Sequence, residues 1–213
     1  MRRKQSKYGK PFVVFAAAGV LGVAVSCSNG ASAVKNAAVA GNVMGTWEGK
    51  CHDSDLLDLS MQEFLMFEGA DTQLVQRFYS EDDCREPAVI VRYKGSFVVR
   101  EDVAETPGGK QVDFEYNTVT VTALNEAGRK TLDNTDFCGH EEWMVNTEVD
   151  LTVNSTRDLC LLYDTPHAKY DIFLVNGDEL KMGLKEGERD KSTPGLRPIH
   201  VGGEVYLKSE VEL

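Results

Sequence analysis

Cysteine and histidine are the residues of this chain whose chemistry is most informative. There are five cysteines and four histidines in 213 residues. Cysteines pair as disulfides in oxidising compartments, whereas cysteines and histidines at short, fixed spacings ligate metal ions. The cysteines are Cys27, Cys51, Cys84, Cys138 and Cys160, and the histidines are His52, His140, His167 and His200.

Disulfide bonding is the chemistry that the cysteines favour. With Cys27 set aside, the other four allow three pairings. We favour Cys51–Cys84 together with Cys138–Cys160, because each bond then stays within one half of the domain. Each would stabilise the fold by about 3–4 kcal/mol through loop closure. A metal site is the alternative, since a histidine lies close to two of these cysteines, but no Cys-x-x-Cys pattern accompanies them.

The sequence contains none of the common catalytic motifs. There is no Gly-x-Ser-x-Gly nucleophile elbow, no phosphate-binding loop and no His-Glu-x-x-His helix. Glu141 and Glu142 beside His140 are interpreted as a solvated loop. We therefore expect no enzymatic activity, no cofactor and no metal. A hydrolase that uses His140 or His167 is the weakest of the alternatives.

The first 26 residues have the pattern of a secretory signal peptide. Five basic residues precede an uncharged apolar run at positions 12–25. This run is shorter than the ~20 residues of a membrane-spanning helix, although a retained membrane anchor is an alternative. Residues 23–27, Val-Ala-Val-Ser-Cys, resemble the lipobox of bacterial lipoproteins, in which the cysteine becomes the lipid-bearing first residue. We predict a lipoprotein signal peptide at 1–26 and lipidation of Cys27; an ordinary signal peptide before a free cysteine is the other alternative.

Composition divides the rest of the chain into a tether and one domain. Residues 27–43 are small and polar, which predicts a flexible tether, and residues 44–213 are expected to form a single domain. From residue 27 onward the formal charge is −16, which disfavours nucleic acid as a partner. Membrane attachment would come from the lipid. Because Ser28 rather than Asp follows Cys27, we expect an outer-membrane location in the cell envelope.

The domain is predicted to be all-β and mainly antiparallel. From Val112 to Tyr116, apolar and polar residues alternate as in a half-buried strand. Val119 and Val121 continue with shifted phase, which predicts a bulge or a bend. Asn176-Gly177 is a hairpin signal, and one helix is predicted over Leu124–Leu132. About nine or ten strands with one helix indicate a barrel or a strongly curved sheet, since closure removes exposed strand edges.

An ordered series of short blocks resembles a known family. It spans about 150 residues of the predicted domain. The blocks are Gly45-x-Trp47-x-x-x-Cys51, Phe64-Leu65, Tyr79-Ser80-x-Asp82-x-Cys84-x-x-Pro87, Tyr93-x-Gly95, Gly108-Gly109 with Phe114 and Val119-Thr120, Cys138-Gly139 with Trp143, Asp150-Leu151-Thr152, Cys160, Tyr170-Asp171-Ile172-Phe173 and Arg197-Pro198. This series resembles the adenomatosis polyposis coli down-regulated (Wnt-inhibitor) domain family.

The resemblance implies a lipocalin-like β-barrel or half-barrel with an apolar cavity. Animal members carry two copies of the domain and bind lipid-modified Wnt proteins; this chain has one copy, and we do not expect the Wnt partner to transfer. The leading hypothesis is a membrane-tethered binder of a lipid or other apolar small molecule. The alternative is a cell-envelope protein-interaction module with a filled barrel. The inward-facing candidates for ligand binding are Trp47, Phe64, Met66, Phe114 and Tyr116.

Overall fold

A computed structural model describes residues 42–54, 56–103, 105–152 and 167–211. These ranges contain ten strands, one α-helix and two short 3-10 turns, at Phe137–Gly139 and Pro194–Leu196. In chain order the elements are β1 (Gly45–Glu48), β2 (His52–Ser54), β3 (Leu59–Glu68), β4 (Asp71–Tyr79), β5 (Pro87–Asp102), β6 (Lys110–Ala123), α1 (Glu126–Asn134), β7 (Glu148–Asp150), β8 (His167–Asn176), β9 (Glu179–Met182) and β10 (Tyr206–Ser209).

Eight of the strands close into an antiparallel barrel. The order β1-β3-β4-β5-β6-β8-β9-β10 is a meander, and β10 pairs back onto β1 to complete the circle. The two remaining strands extend the wall, β2 beside β3 and β7 beside β6. Closure leaves these eight strands without an unpaired neighbour, which is how up-and-down barrels avoid edge-to-edge association. The predicted mainly antiparallel barrel is therefore confirmed.

Glycine residues set the sharp turns between the strands. Gly69 begins the β3–β4 turn with a φ of 61°, and Gly177 begins the β8–β9 turn with the same φ. The predicted hairpin at Asn176-Gly177 is present, displaced by one residue because Asn176 still pairs with Glu179. Positive φ costs little at glycine because it has no Cβ.

A bulge bends the long β5–β6 pair, as the shifted phase after Tyr116 predicts. The register changes between Lys94 and Gly95, where Gly95 faces Tyr116 while Lys94 faces Thr118. A Cβ added at Gly95 would lie 2.0 Å from the carbonyl oxygen of Glu115, so the two backbones approach closely only because this residue is glycine. Bulges and glycines of this kind turn barrel corners.

Helix α1 packs across β5 and β6. Its first turn is capped by the Asn125 side chain, which accepts a hydrogen bond from the backbone N–H of Gly128 at 2.9 Å. Leu132 faces the core and is completely buried. The helix predicted over Leu124–Leu132 is confirmed and begins two residues later, because Asn125 acts as the N-cap.

The first of the two predicted disulfides is confirmed. Cys51 is bonded to Cys84, with 33 residues of sequence separation. Cys138 is also disulfide-bonded; its predicted partner Cys160 lies outside the described residues, as do Cys27 and the signal peptide.

Val43, the last residue of the predicted tether, is buried, and its carbonyl accepts a hydrogen bond from Trp47 Nε1 at 2.7 Å. The packed domain therefore includes Val43.

None of the helical segments in the described ranges has the length and apolarity of a membrane span.

Candidate functional site

The barrel holds a cavity of about 310 Å³ between its wall and the residues that join β9 to β10. One side is an apolar wall and the other is a polar wall. The apolar wall is formed by Leu65, Leu74, Phe114, Tyr116 and Met182, and the polar wall by Glu63, Lys169, Asp171, Lys191 and Tyr206. The residues at the rim are Gly183, Leu184, Lys185, Gly202, Gly203 and Glu204.

Two stacked rings from β6 form the centre of the apolar wall. Phe114 and Tyr116 are two positions apart on the same face of the strand, and their rings are 5.8 Å apart and 7° from parallel. Tyr116 is only 3% exposed, and its hydroxyl makes no hydrogen bond with any described residue. Burial raises the pKa of Tyr116, so the phenol is neutral and able to donate.

A buried ion pair forms the base of the polar wall. Lys191 Nζ lies 2.9 Å from Asp171 Oδ2, with the two side chains 15% and 1% exposed. Asp171 Oδ1 also accepts hydrogen bonds from the backbone N–H groups of Ile172, at 2.8 Å, and Gly183, at 3.1 Å. A Cβ at Gly183 would lie 2.4 Å from that oxygen, so glycine is needed there. Burial lowers the pKa of Lys191, while the Asp171 carboxylate opposes this shift.

Glu63 projects from β3 into the same wall, and hydrogen bonds occupy both its oxygens. Oε1 accepts a bond from Gln76 Nε2 at 2.8 Å, and Oε2 accepts one from the Tyr206 hydroxyl at 2.8 Å. Burial raises the pKa of Tyr206, and the charge on Glu63 adds to this increase. The pair thus links β3 to β10 across the interior of the barrel.

Lys169 is the cation of the polar wall that has no partner in the described part of the chain. It pairs with Phe114 across β6 and β8, which directs both side chains to the same face. It makes no ion pair and no hydrogen bond with a described residue, and it is half-buried. Its charge lowers the pKa of Lys191 after the larger effect of burial, so the two ammonium groups are close.

Residues 183–205 connect β9 to β10 and close one side of the cavity. Connections longer than about 12–15 residues are uncommon in compact domains and are often functional. Arg197 fixes this connection, because its guanidinium donates to the carbonyl oxygens of Val112 at 2.7 Å and Asp171 at 2.8 Å, and also pairs with Asp113. Burial alone would raise the pKa of Asp113, but hydrogen bonds from Arg197 and Arg100 lower it.

Two of the five predicted ligand-binding residues, Phe114 and Tyr116, line the cavity. Trp47 faces the interior and is fully buried in the core, but it is not among the residues lining the cavity. Lys208 Nζ lies 5.4 Å from the Trp47 ring centre.

Phe64 and Met66 are on the outer face, not on the predicted inner one. They flank Leu65, whose side chain points inward beside Trp47, and successive side chains of a strand point to opposite faces. Phe64 is nevertheless buried, because the Arg77 guanidinium lies over its ring at 4.6 Å. Hydrophobicity alone therefore assigned the wrong face at these two positions.

The polar wall was not predicted from the sequence. Lys169 and Asp171 alternate with Tyr170 and Ile172, and this pattern favours the apolar residues as the inner set. The sequence signal that singled out this strand was the family block Tyr170-Asp171-Ile172-Phe173.

The histidines lie apart from the cavity. None of the four is among the lining residues. His140 packs edge-on against Trp143 at 4.7 Å, and His200 Nδ1 lies 3.1 Å from Glu186. In the described ranges no group of three or more His, Cys, Asp or Glu side chains is arranged to hold a metal ion.

The fold and cavity define a class, the eight-stranded up-and-down barrels that enclose an internal site. The family model described as adenomatosis polyposis coli down-regulated 1 matches residues 42–163, which is more than half of the chain. The chain belongs to this family. The predicted resemblance is therefore confirmed.

Proposed function

We propose that this barrel binds one lipid or similar apolar small molecule in its cavity. The supporting observation is the cavity itself, which sets stacked aromatic rings against a charged wall inside a closed barrel. Its volume of about 310 Å³ is at the lower end of the ~300–1,000 Å³ range of small-molecule sites. Eight-stranded barrels leave room for one small ligand.

An amphiphile suits this cavity better than a purely polar or purely apolar compound. An acyl chain that fills the apolar side of the cavity would remove the surface of the stacked rings from water, which is favourable. The polar wall supplies hydrogen-bonding groups to the other end of the same molecule. A few polar groups within a mainly apolar pocket are the usual means of orienting a ligand.

The proposed role is to hold the ligand without reacting with it. The charged groups of the polar wall mostly bind one another, since Asp171 pairs with Lys191 and Glu63 accepts from Tyr206. Such mutual pairing favours a fixed wall over groups that exchange protons with a substrate. Turnover of generic esters that is lost on replacing His140 would contradict this proposal.

We further propose that the domain is tethered to the outer membrane through a lipid on Cys27. The support is the basic leader, the short apolar run and the lipobox-like residues 23–27. The variant Cys27→Ala should release the protein from the membrane fraction, while the wild type should incorporate a labelled fatty acid at its N-terminus. Membrane association of Cys27→Ala equal to that of the wild type would contradict the tether.

The binding proposal can be tested with a fluorescent long-chain fatty acid and two matched tryptophan substitutions. Leu74→Trp places a large ring in the cavity, whereas Met66→Trp adds the same ring on the outer face of the neighbouring strand. Leu74→Trp should weaken binding at least about tenfold, and Met66→Trp should change it less than about threefold. If wild-type protein takes up no fatty acid, the alternative role as a cell-envelope interaction module is supported instead.

A further inference from the structure

Inside the cavity, below the exposed rim that carries Glu204, the hydrogen-bonding side chains without a partner in the described part of the chain are donors. Both oxygens of Glu63 and both oxygens of Asp171 accept hydrogen bonds from the protein. The Tyr116 hydroxyl and the Lys169 ammonium, by contrast, have no partner among the described residues. Both residues line the cavity, so these two groups are free to donate hydrogen bonds to a ligand that enters it.

The two free donors are neighbours on the inner face of the barrel. Tyr116 lies opposite His167 in the β6–β8 register, and Lys169 lies two residues further along β8. Diagonal neighbours of this kind have backbones about 7–8 Å apart, a separation that long side chains can bridge. Both residues line the cavity, so both are on the surface that a bound ligand would contact.

We infer that the polar end of the ligand is a carboxylate, and that the ligand class is long-chain carboxylic acids. This inference depends on the proposed binding function. A carboxylate has two oxygens that accept hydrogen bonds, and its charge would pair with Lys169. Inside the cavity an amine would meet the unpaired Lys169 ammonium, and hydrogen bonds from the protein already occupy Glu63 and Asp171; the remaining carboxylate, Glu204, is at the exposed rim.

The test compares three probes that have the same chain and different ends: dodecanoate, 1-dodecanol and dodecylamine. Each is titrated by calorimetry into the full chain after extraction of bound lipid. Dodecanoate should bind most tightly. Lys169→Met should weaken dodecanoate about 10- to 100-fold and 1-dodecanol less than about threefold, since a charged hydrogen bond is lost only for the acid. Tyr116→Phe should weaken dodecanoate about three- to tenfold.

Matched controls separate these effects from general damage. Lys181→Met removes an ammonium from the outer face of β9, and Tyr170→Phe removes a hydroxyl from the outer face of β8. Both should bind dodecanoate as the wild type does, and thermal unfolding should show that all four variants are folded.

The possible outcomes distinguish failure of the carboxylate inference from failure of the proposed binding function. A preference for dodecanoate that Lys169→Met abolishes supports the carboxylate site. Equal binding of the acid and the alcohol, tighter binding of the amine, or a preference that survives in Lys169→Met would overturn the inference while leaving the binding function intact. Failure of all three probes to bind would overturn the proposed function itself.

Discussion

Removing the Lys191 ammonium should destabilise the domain by about 3 kcal/mol. Asp171 is 1% exposed and accepts three hydrogen bonds, from Lys191 and from the backbone N–H groups of Ile172 and Gly183. In Lys191→Met the carboxylate keeps the two backbone donors but loses its counter-charge. Breaking a buried ion pair from one side costs about 3–5 kcal/mol, and the 15% exposure of Lys191 places this pair at the lower end.

The assay is urea unfolding followed by tryptophan fluorescence, since Trp47 and Trp143 are both buried. Asp171→Asn in the Lys191→Met background removes the unpaired charge, so the double variant should be more stable than the sum of the two single changes by at least about 1 kcal/mol. Lys185→Met on the same connection is the control and should stay within about 0.5 kcal/mol of the wild type. Additivity of the two single effects within about 0.5 kcal/mol would refute the ion pair as a structural element.

Three further predictions concern stability. Replacing Cys51 and Cys84 by alanine opens a loop with 33 residues of separation and should cost about 4 kcal/mol in the same urea assay; a loss below about 1 kcal/mol would contradict it. Gly128→Ala should destabilise by about 1–3 kcal/mol, although alanine normally favours a helix, because the added Cβ would lie 2.0 Å from a β5 carbonyl; Lys130→Ala is the control. Burial raises the pKa of Tyr116, so the folded state keeps a proton that the unfolded state releases above about pH 10. Stability should therefore be complete below that pH and fall as pH rises, by up to about 1.4 kcal/mol per pH unit, and Tyr116→Phe should show a shallower fall.

Local sequence signals predicted much of the barrel. The alternation from Val112 to Tyr116 gave the inner face of β6 correctly, and the phase change at Val119 located the bulge. Turn glycines and strand alternation depend on neighbouring residues, so they can be recognised in one sequence. Counting left three possible pairings, and Cys51–Cys84 was favoured because it keeps the bond within one half of the domain.

The cavity depended on tertiary context that local patterns do not contain. In β8 the inner face carries Lys169 and Asp171, while Ile172 on the opposite face is completely buried. Next to Ile172, the Arg197 guanidinium donates a hydrogen bond to the backbone carbonyl oxygen of Asp171. Similarly, Arg77 covers Phe64 on the outside of β3. Wherever a distant segment covers the outer face, the rule that apolar side chains point inward assigns the wrong face.

The partners of the polar wall come from far apart in the chain. Lys191 reaches Asp171 from an irregular connection, and Tyr206 reaches Glu63 from the last strand. No spacing in the sequence relates these pairs, since only barrel closure brings β10 beside β1, which in turn pairs with β3. The polar wall thus combines residues of three strands with Lys191 from the irregular connection.

The central claim is that the cavity holds an acyl ligand, and organic extraction followed by mass spectrometry tests it most directly. The full chain would be purified from an envelope fraction, with Leu74→Trp prepared in parallel so that lipid held elsewhere is subtracted. The account predicts about one long-chain carboxylic acid per wild-type chain and a much smaller amount from Leu74→Trp. A wild-type extract that contains no acyl compound, with no uptake when fatty acid is supplied afterwards, would contradict the account.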